Sequence, residues 1–129
     1  MTRVLIIEDN PDFVDFVQAV LELNGYTVAH TASLHDGIRL SNQVPSPDLV
    51  LLDLDLPDGS GLEFFDQVAA NVPALAMTAN TDADLARHLQ ALGARYVIKP
   101  LAARDLLDLV NTSLKKGAAH DHPTDPHRR

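Results

Sequence analysis

A doubly wound α/β domain with a five-stranded parallel sheet is the fold this sequence predicts. Five short apolar runs alternate with amphipathic helical segments, the strongest runs lack the every-second-residue polarity of a half-exposed strand, and acids gather immediately after them. The 129 residues, 46% of them hydrophobic, are enough for one domain with its own core.

The first apolar run covers residues 4–7. It is followed by Phe13, Phe16, Val17, Val20 and Leu21, the i, i+3, i+4, i+7, i+8 stripe of a helix with one buried face. Asn10 suits the cap of that helix, Pro11 its first turn, and Gly25 its end. A weaker strand is expected at 26–29 and a helix at 33–41. The third strand is the run at 49–52, with a helix at 62–70 after it. The fourth strand, at 74–77, leads to a helix at 82–92 whose Leu85, Leu89 and Leu92 face inward. The fifth strand, at 96–98, precedes a helix at 103–116 that turns Leu106, Leu109, Val110 and Leu114 to the core. The runs at 4–7, 49–52, 74–77 and 96–98 are all read as strands covered on both faces. Right-handed crossovers between parallel strands place the helices on both sides of the sheet. From Gly117 the chain is polar and contains two prolines, so residues 117–129 are expected as a disordered tail beyond a domain of residues 1–116.

Composition removes several function classes. The chain has no cysteine, which excludes disulfides, thiol catalysis and cysteine-ligated zinc. A net charge of −8 repels nucleic-acid phosphates, so no direct nucleic-acid contact is expected. No apolar stretch approaches the length of a membrane span, and the N-terminal residues do not form a signal peptide. The expectation is a soluble, cytoplasmic protein without a membrane partner.

The acids carry the functional information. Glu8 and Asp9 follow the first strand and Asp53 ends the third, so all three belong to the carboxyl edge of the sheet, where doubly wound folds bind ligands. Converging carboxylates repel one another unless a cation neutralises them, and oxygen-only ligands suit magnesium. Thr78 and Lys99 end the fourth and fifth strands and add a hydroxyl donor and a fixed cation to the same edge. Phosphoryl transfer needs chiefly positioning and charge stabilisation, which this set supplies. Taken singly, Thr78 reads as a strand-end hydroxyl and Lys99 as a surface lysine, and each acid has a loop or cap residue as its alternative; their alignment is what points to chemistry.

In order along the chain, Ile6-Ile7-Glu8-Asp9-Asn10, the stretch from Pro47 to Gly61 containing Asp53-Leu54-Asp55-Leu56-Pro57-Asp58-Gly59, Met77-Thr78-Ala79 and Tyr96-Val97-Ile98-Lys99-Pro100 resemble the motifs of the response-regulator receiver family. The resemblance reaches to about Leu114. It implies a flavodoxin-like sheet of strand order 2-1-3-4-5 and a signalling role, not that of a conventional enzyme. Asp53 would accept a phosphoryl group from the phosphohistidine of a histidine kinase or phosphotransfer protein. Magnesium would be held by Asp9, by Asp53, by the backbone carbonyl of Asp55, and by Glu8 through water. Thr78 and Lys99 would hold the phosphoryl oxygens, and Thr78 with Tyr96 would pass the change to a surface that binds a downstream protein. The Lys99-Pro100 bond resembles the family's cis peptide. The side chain of Asp55 is expected at the mouth of the crevice.

Two departures stand out. The interval from Asp53 to Thr78 is short for the family, so the third helix is expected to be trimmed. Arg95 falls where dimer-forming receivers carry acids, so their dimer is not carried over and the oligomeric state is left open. A phosphatase of the haloacid-dehalogenase type, using Asp53 as nucleophile and Asp55 as acid/base, is the alternative from another class, although its further metal ligands would lie downstream of the lysine. A receiver-like binding module that is never phosphorylated is the third. His120, His122 and His127 with Asp121 and Asp125 have the makings of a metal cluster, but a flexible polar tail is the preferred reading of them.

Overall fold

The computed structural model describes residues 2–119. Its elements are β1 (Arg3–Ile7), α1 (Pro11–Leu23), β2 (Thr27–Thr31), α2 (Leu34–Ser41), β3 (Leu49–Asp53), α3 (Glu63–Gln67), β4 (Ala74–Thr78), α4 (Ala83–Ala91), β5 (Arg95–Ile98) and α5 (Ala103–Ala119). The five strands form one parallel sheet in the order β2-β1-β3-β4-β5. A short antiparallel ribbon pairs Asp55–Leu56 with Gly59–Ser60 just beyond β3.

The pleat of the central strands divides the core into two layers. Leu5, Ile7, Val50, Leu52 and Ala76 pack with Leu34, Ile38, Phe64 and Leu89 of α2, α3 and α4. Their neighbours Val4, Ile6, Leu49, Leu51, Leu75 and Met77 pack on the other face with Val17 and Leu21 of α1 and Leu106 and Val110 of α5. Successive residues point to opposite faces, and both faces are covered, so these strands read as continuous apolar runs. Each fully buried leucine or valine contributes about 1.5–3 kcal/mol of transfer free energy, before the entropy of ordering is counted.

The edges depart from that rule. β5 is only half-buried and Ile98 is 37% exposed, so the expectation that residues 96–98 are covered on both faces is corrected: β5 is the last strand, with a neighbour on one side only. β2, the opposite edge, runs from Thr27 to Thr31, later than residues 26–29, because it is held by its register with β1 and not by its own hydrophobicity. Leu92, expected inward, is 41% exposed at the C-cap of α4, where the chain turns out of the helix. α3 is shorter than the 62–70 expected: Val68 already has extended backbone. α5 continues to Ala119, three residues past the boundary drawn at 116, since Gly117, Ala118 and Ala119 stay helical. The remaining tail, with His120, His122 and His127, lies outside the described residues.

Local signals fix how the chain enters the crevice at the carboxyl edge. The side-chain oxygen of Asn10 accepts from the amides of Asp12 and Phe13, with Pro11 in the first turn, so only Glu8, Asp9 and Asn10 separate β1 from α1. Gly25 takes φ +90° beyond α1, a conformation closed to most side chains.

Beyond β3, the loop is secured twice. Gly61 donates its amide to the Leu54 carbonyl at 3.0 Å. Asp58 reaches across to the start of α2, where its carboxylate accepts from the amides of Leu34 at 2.9 Å and His35 at 3.2 Å and from the Ser33 hydroxyl at 3.0 Å. These bonds, that of Leu34 foremost, hold the Asp58 carboxyl down at about 2. Pro57-Asp58-Gly59 reads in sequence only as a turn, and nothing local ties it to a helix more than twenty residues earlier.

Gly61 is a position where the fold needs the absence of a side chain. A Cβ there would sit 2.6 Å from the Leu54 Cα and 2.8 Å from the Asp53 carbonyl oxygen, both backbone atoms that cannot rotate away. Gly61→Ala should therefore destabilise the protein by about 1–3 kcal/mol in urea denaturation. It should also shift the amide resonances of Asp53, Leu54 and Asp55, and wild-type stability with unmoved resonances would show that the loop has slack.

Candidate functional site

Parallel register delivers the acids to one place. Ile7 lies opposite Leu52 in the β1–β3 pairing, so Glu8, the next residue, comes to the level of Asp53. Glu8 is 1% exposed and Asp53 3%, whereas Asp9 faces solvent. One carboxylate oxygen from each of the three lies within 4.8 Å of the others.

Burial is the main influence on Asp53 and raises its carboxyl from 3.8 to about 6. The amide of Asp55, donating to Asp53 Oδ1 at 3.0 Å, opposes the rise; the charge of Glu8 adds to it, and that of Lys99 works against it.

Lys99 enters from the neighbouring edge. In the β4–β5 register Thr78 lies opposite Ile98, and the Lys99 amide donates to the Thr78 carbonyl at 2.8 Å. The Lys99-Pro100 peptide is cis, as the family resemblance implied. Lys99 Nζ donates to Glu8 Oε1 at 2.7 Å and stands 3.7 Å from Asp53 Oδ1, with the Phe13 ring centroid 4.5 Å away.

Thr78 is fully buried; its hydroxyl donates to Asp55 Oδ2 at 3.3 Å and accepts from the Asn80 amide at 3.0 Å. Asp55 is exposed, as expected of a residue at the mouth, but its carboxylate is tied to Thr78, a contact the sequence did not suggest. Tyr96 is half-buried, opposite Ala76 in register and packed on the α2–α3–α4 core layer.

The arrangement thus brings Glu8, Asp9, Asp53 and Lys99 into one cluster and joins Thr78 to Asp55 beside it. Phe13 and Asp58 are the residues near this edge that sequence reasoning passed over. Phe13 was one member of an apolar helical stripe, and only its height on the first turn of α1 brings it to Lys99.

The donor set fits a hard divalent cation. It consists of oxygen only, two of its three carboxylates are buried, and the Lys99 ammonium faces just those two, an excess of negative charge that a small cation would offset.

Comparison with known proteins gives this geometry its context. The family profile described as "Response regulator receiver domain" matches residues 4–111. The chain belongs to the response regulator receiver family. This receiver is 33% identical over 126 residues to the KDP operon transcriptional regulatory protein KdpE of Escherichia coli (strain K12), covering 95% of the chain and 56% of that protein. It is 32% identical over 127 residues to the response regulator SaeR of Staphylococcus aureus (strain COL), covering 95% of the chain and 54% of SaeR. The receiver therefore spans about half the length of these curated relatives.

Among solved structures, the signal receiver domain of a LuxO repressor protein from Vibrio parahaemolyticus superposes with a TM-score of 0.84 at 30% identity, covering 93% of this chain and 95% of that one. A CheY-like receiver domain protein from Methanospirillum hungatei JF-1 gives the same TM-score of 0.84 at 25% identity, with 94% and 99% covered. These likenesses support the receiver reading and lend nothing to the phosphatase alternative. Among the described residues no helix is long and apolar enough to cross a membrane.

The raised Asp53 carboxyl has a consequence for stability. Its proton is bound more tightly in the native state than in the unfolded chain, so Asp53 removes stability as pH rises from 3.8 to about 6 and keeps it removed above that. Asp53→Asn abolishes this term while an amide oxygen can still accept from Asp55. In EDTA the variant should match wild type near pH 4 and exceed it by up to about 3 kcal/mol at pH 7, the gap opening mainly between those values. Urea titrations across pH would reveal it; a gap that is constant with pH, or reversed, would mean that Asp53 is not held in a charge-averse site.

Proposed function

We propose that this receiver accepts a phosphoryl group on Asp53 from the phosphohistidine of a histidine kinase or phosphotransfer protein and thereby switches a protein-binding surface. The observation that carries the reading is the position of Asp53. It is a buried carboxylate at a strand end, joined within 4.8 Å by Glu8 and Asp9 and faced by Lys99 at 3.7 Å.

In the transfer, an Asp53 carboxylate oxygen bonds to phosphorus as the phosphorus–nitrogen bond of the donor breaks and its electron pair leaves with the imidazole. Glu8, Asp9, Asp53 and the backbone carbonyl of Asp55 are the groups that would hold magnesium. When bound, magnesium supplies positive charge against the phosphoryl oxygens and relieves repulsion among the acids. Lys99 moves its ammonium from Glu8 toward a phosphoryl oxygen. Thr78 exchanges its bond to Asp55 for one to another phosphoryl oxygen, and space opened by that movement admits the Tyr96 ring.

The domain assists its own phosphorylation and dephosphorylation without being a multiple-turnover enzyme. A cytoplasmic location, a downstream protein partner, the absence of direct nucleic-acid contact by this domain, and a domain that reaches at least to the end of α5 belong to the same proposal.

Incubation with acetyl phosphate and magnesium, followed by intact-mass measurement, should show one added phosphoryl group on wild type. None should appear on Asp53→Asn or when EDTA replaces magnesium. Full modification of Asp53→Asn, or an acid-stable phosphoserine or phosphothreonine, would remove Asp53 from the role.

Asp55 should slow loading, because its carboxylate both occupies the Thr78 hydroxyl and repels an anionic donor. Asp55→Asn is expected to be phosphorylated by acetyl phosphate about three- to tenfold faster at low ionic strength, with the ratio falling as salt rises. A variant that loads at the wild-type rate or more slowly would show that Asp55 does not restrain the site.

A further inference from the structure

We propose that Phe13 is a positioning residue whose ring face holds the ammonium of Lys99 over the carboxylate cluster and guides it from Glu8 to the phosphoryl group; this rests on reading Lys99 as the phosphoryl-binding cation. Lys99 Nζ has a strong bond to Glu8 Oε1 at 2.7 Å, while its 3.7 Å separation from Asp53 Oδ1 is too long for a hydrogen bond. A further close neighbour is aromatic, with the Phe13 centroid at 4.5 Å, well within the range of a cation–π attraction.

The pairing with Glu8 creates a difficulty that the ring resolves. Glu8 is also a candidate metal ligand, so the oxygen that anchors Lys99 at rest is one whose attraction for an ammonium weakens once a divalent cation shares it. A lysine side chain has four rotatable bonds and a strongly hydrated head, and it would then relax toward water. The way out is open: a groove walled by Asn10, Asp12, Phe16, Ala79 and Leu101 adjoins Lys99 and Phe13. An aromatic face has no lone-pair direction. An ammonium can therefore shift across it by an ångström or so and keep most of the attraction, whereas a hydrogen bond of fixed geometry would be broken.

The ring is itself fixed. Asn10 caps the amide of Phe13, which places the residue in the first turn of α1, and the Phe16 ring leans on it with centroids 6.1 Å apart and planes at 46°. An aliphatic residue of similar size would fill the space without offering negative charge to the cation.

Phe13→Leu and Phe13→Met remove the ring with little loss of apolar volume, and Phe13→Tyr retains it. Both aliphatic variants should load from acetyl phosphate about three- to tenfold more slowly and bind beryllofluoride about three- to tenfold more weakly, while Phe13→Tyr stays within about twofold of wild type. In the wild-type NMR spectrum the Lys99 Hε protons should lie upfield through the ring current, a signature lost in the aliphatic variants.

Normal loading by Phe13→Leu and Phe13→Met, or a Phe13→Tyr protein as slow as they are, would overturn the proposal. So would unshifted Lys99 Hε protons in wild type, a measurement that needs no variant to fold. Lys99→Ala is the separate control: if it loads like wild type, the assignment of Lys99 itself fails, whatever Phe13 does.

Discussion

Three carboxylates, each with one oxygen within 4.8 Å of the others, lie together with the Lys99 ammonium beside Glu8 and Asp53, and much of the molecule serves to keep them there. Left to themselves, such groups would separate or take up protons. The apolar strands β1 and β3 hold Glu8 and Asp53 at the buried edge because Ile7 and Leu52, the residues before them, are fully buried and locked in register. The core thus enforces a buried and electrostatically unfavourable cluster, and the raised carboxyl of Asp53 records the cost, first of burial and then of the neighbouring Glu8 charge. A site of this kind is ready for a cation and reacts strongly to any change in charge, which is the property a phosphorylation switch needs.

The elements around the cluster differ in how firmly they are held. The central strands have neighbours on both sides and helices on both faces. The loop after β3 is secured by Gly61 against Leu54 and by Asp58 at the start of α2. Its backbone gives Asp53 its amide partner, so this anchoring bears directly on the geometry of the acceptor. In contrast, Tyr96 belongs to an edge strand that is only half-buried, and Lys99 directly follows it. Rigid acids and a less constrained lysine and tyrosine make chemical sense together: the first set must not move when charge arrives, and the second must, while Thr78, fully buried at the end of β4, has only its hydroxyl bond to exchange.

Resting contacts also define what phosphorylation would have to undo. The Lys99 ammonium is on Glu8 and the Thr78 hydroxyl is on Asp55, so both groups expected to bind phosphoryl oxygens already have carboxylate partners. A phosphoryl group, carrying more charge than either carboxylate, competes for both. The outcome depends on differences between charge-assisted hydrogen bonds, each of the order of 1.5–3 kcal/mol, which suits a reversible transition better than an all-or-none one.

The sequence by itself determined the strands, the order in which they alternate with helices, the cap of α1 at Asn10 and the alignment of Glu8, Asp9, Asp53, Thr78 and Lys99 at strand ends. These are local properties: apolar runs, helical periodicity and the position of a polar residue directly after a strand all survive in a one-dimensional reading. Strand order came from family resemblance, since periodicity cannot say which strands are neighbours.

Tertiary structure alone decided that Lys99 rests on Glu8, ninety-one positions away, that Thr78 bonds to Asp55, that Asp58 caps α2 and that Phe13 lies under an ammonium. It also exposed Leu92 and left β5 half-covered. Each of these depends on register, on which strand lies at the edge and on side-chain direction across a gap between elements, and a chain's own periodicity encodes none of the three.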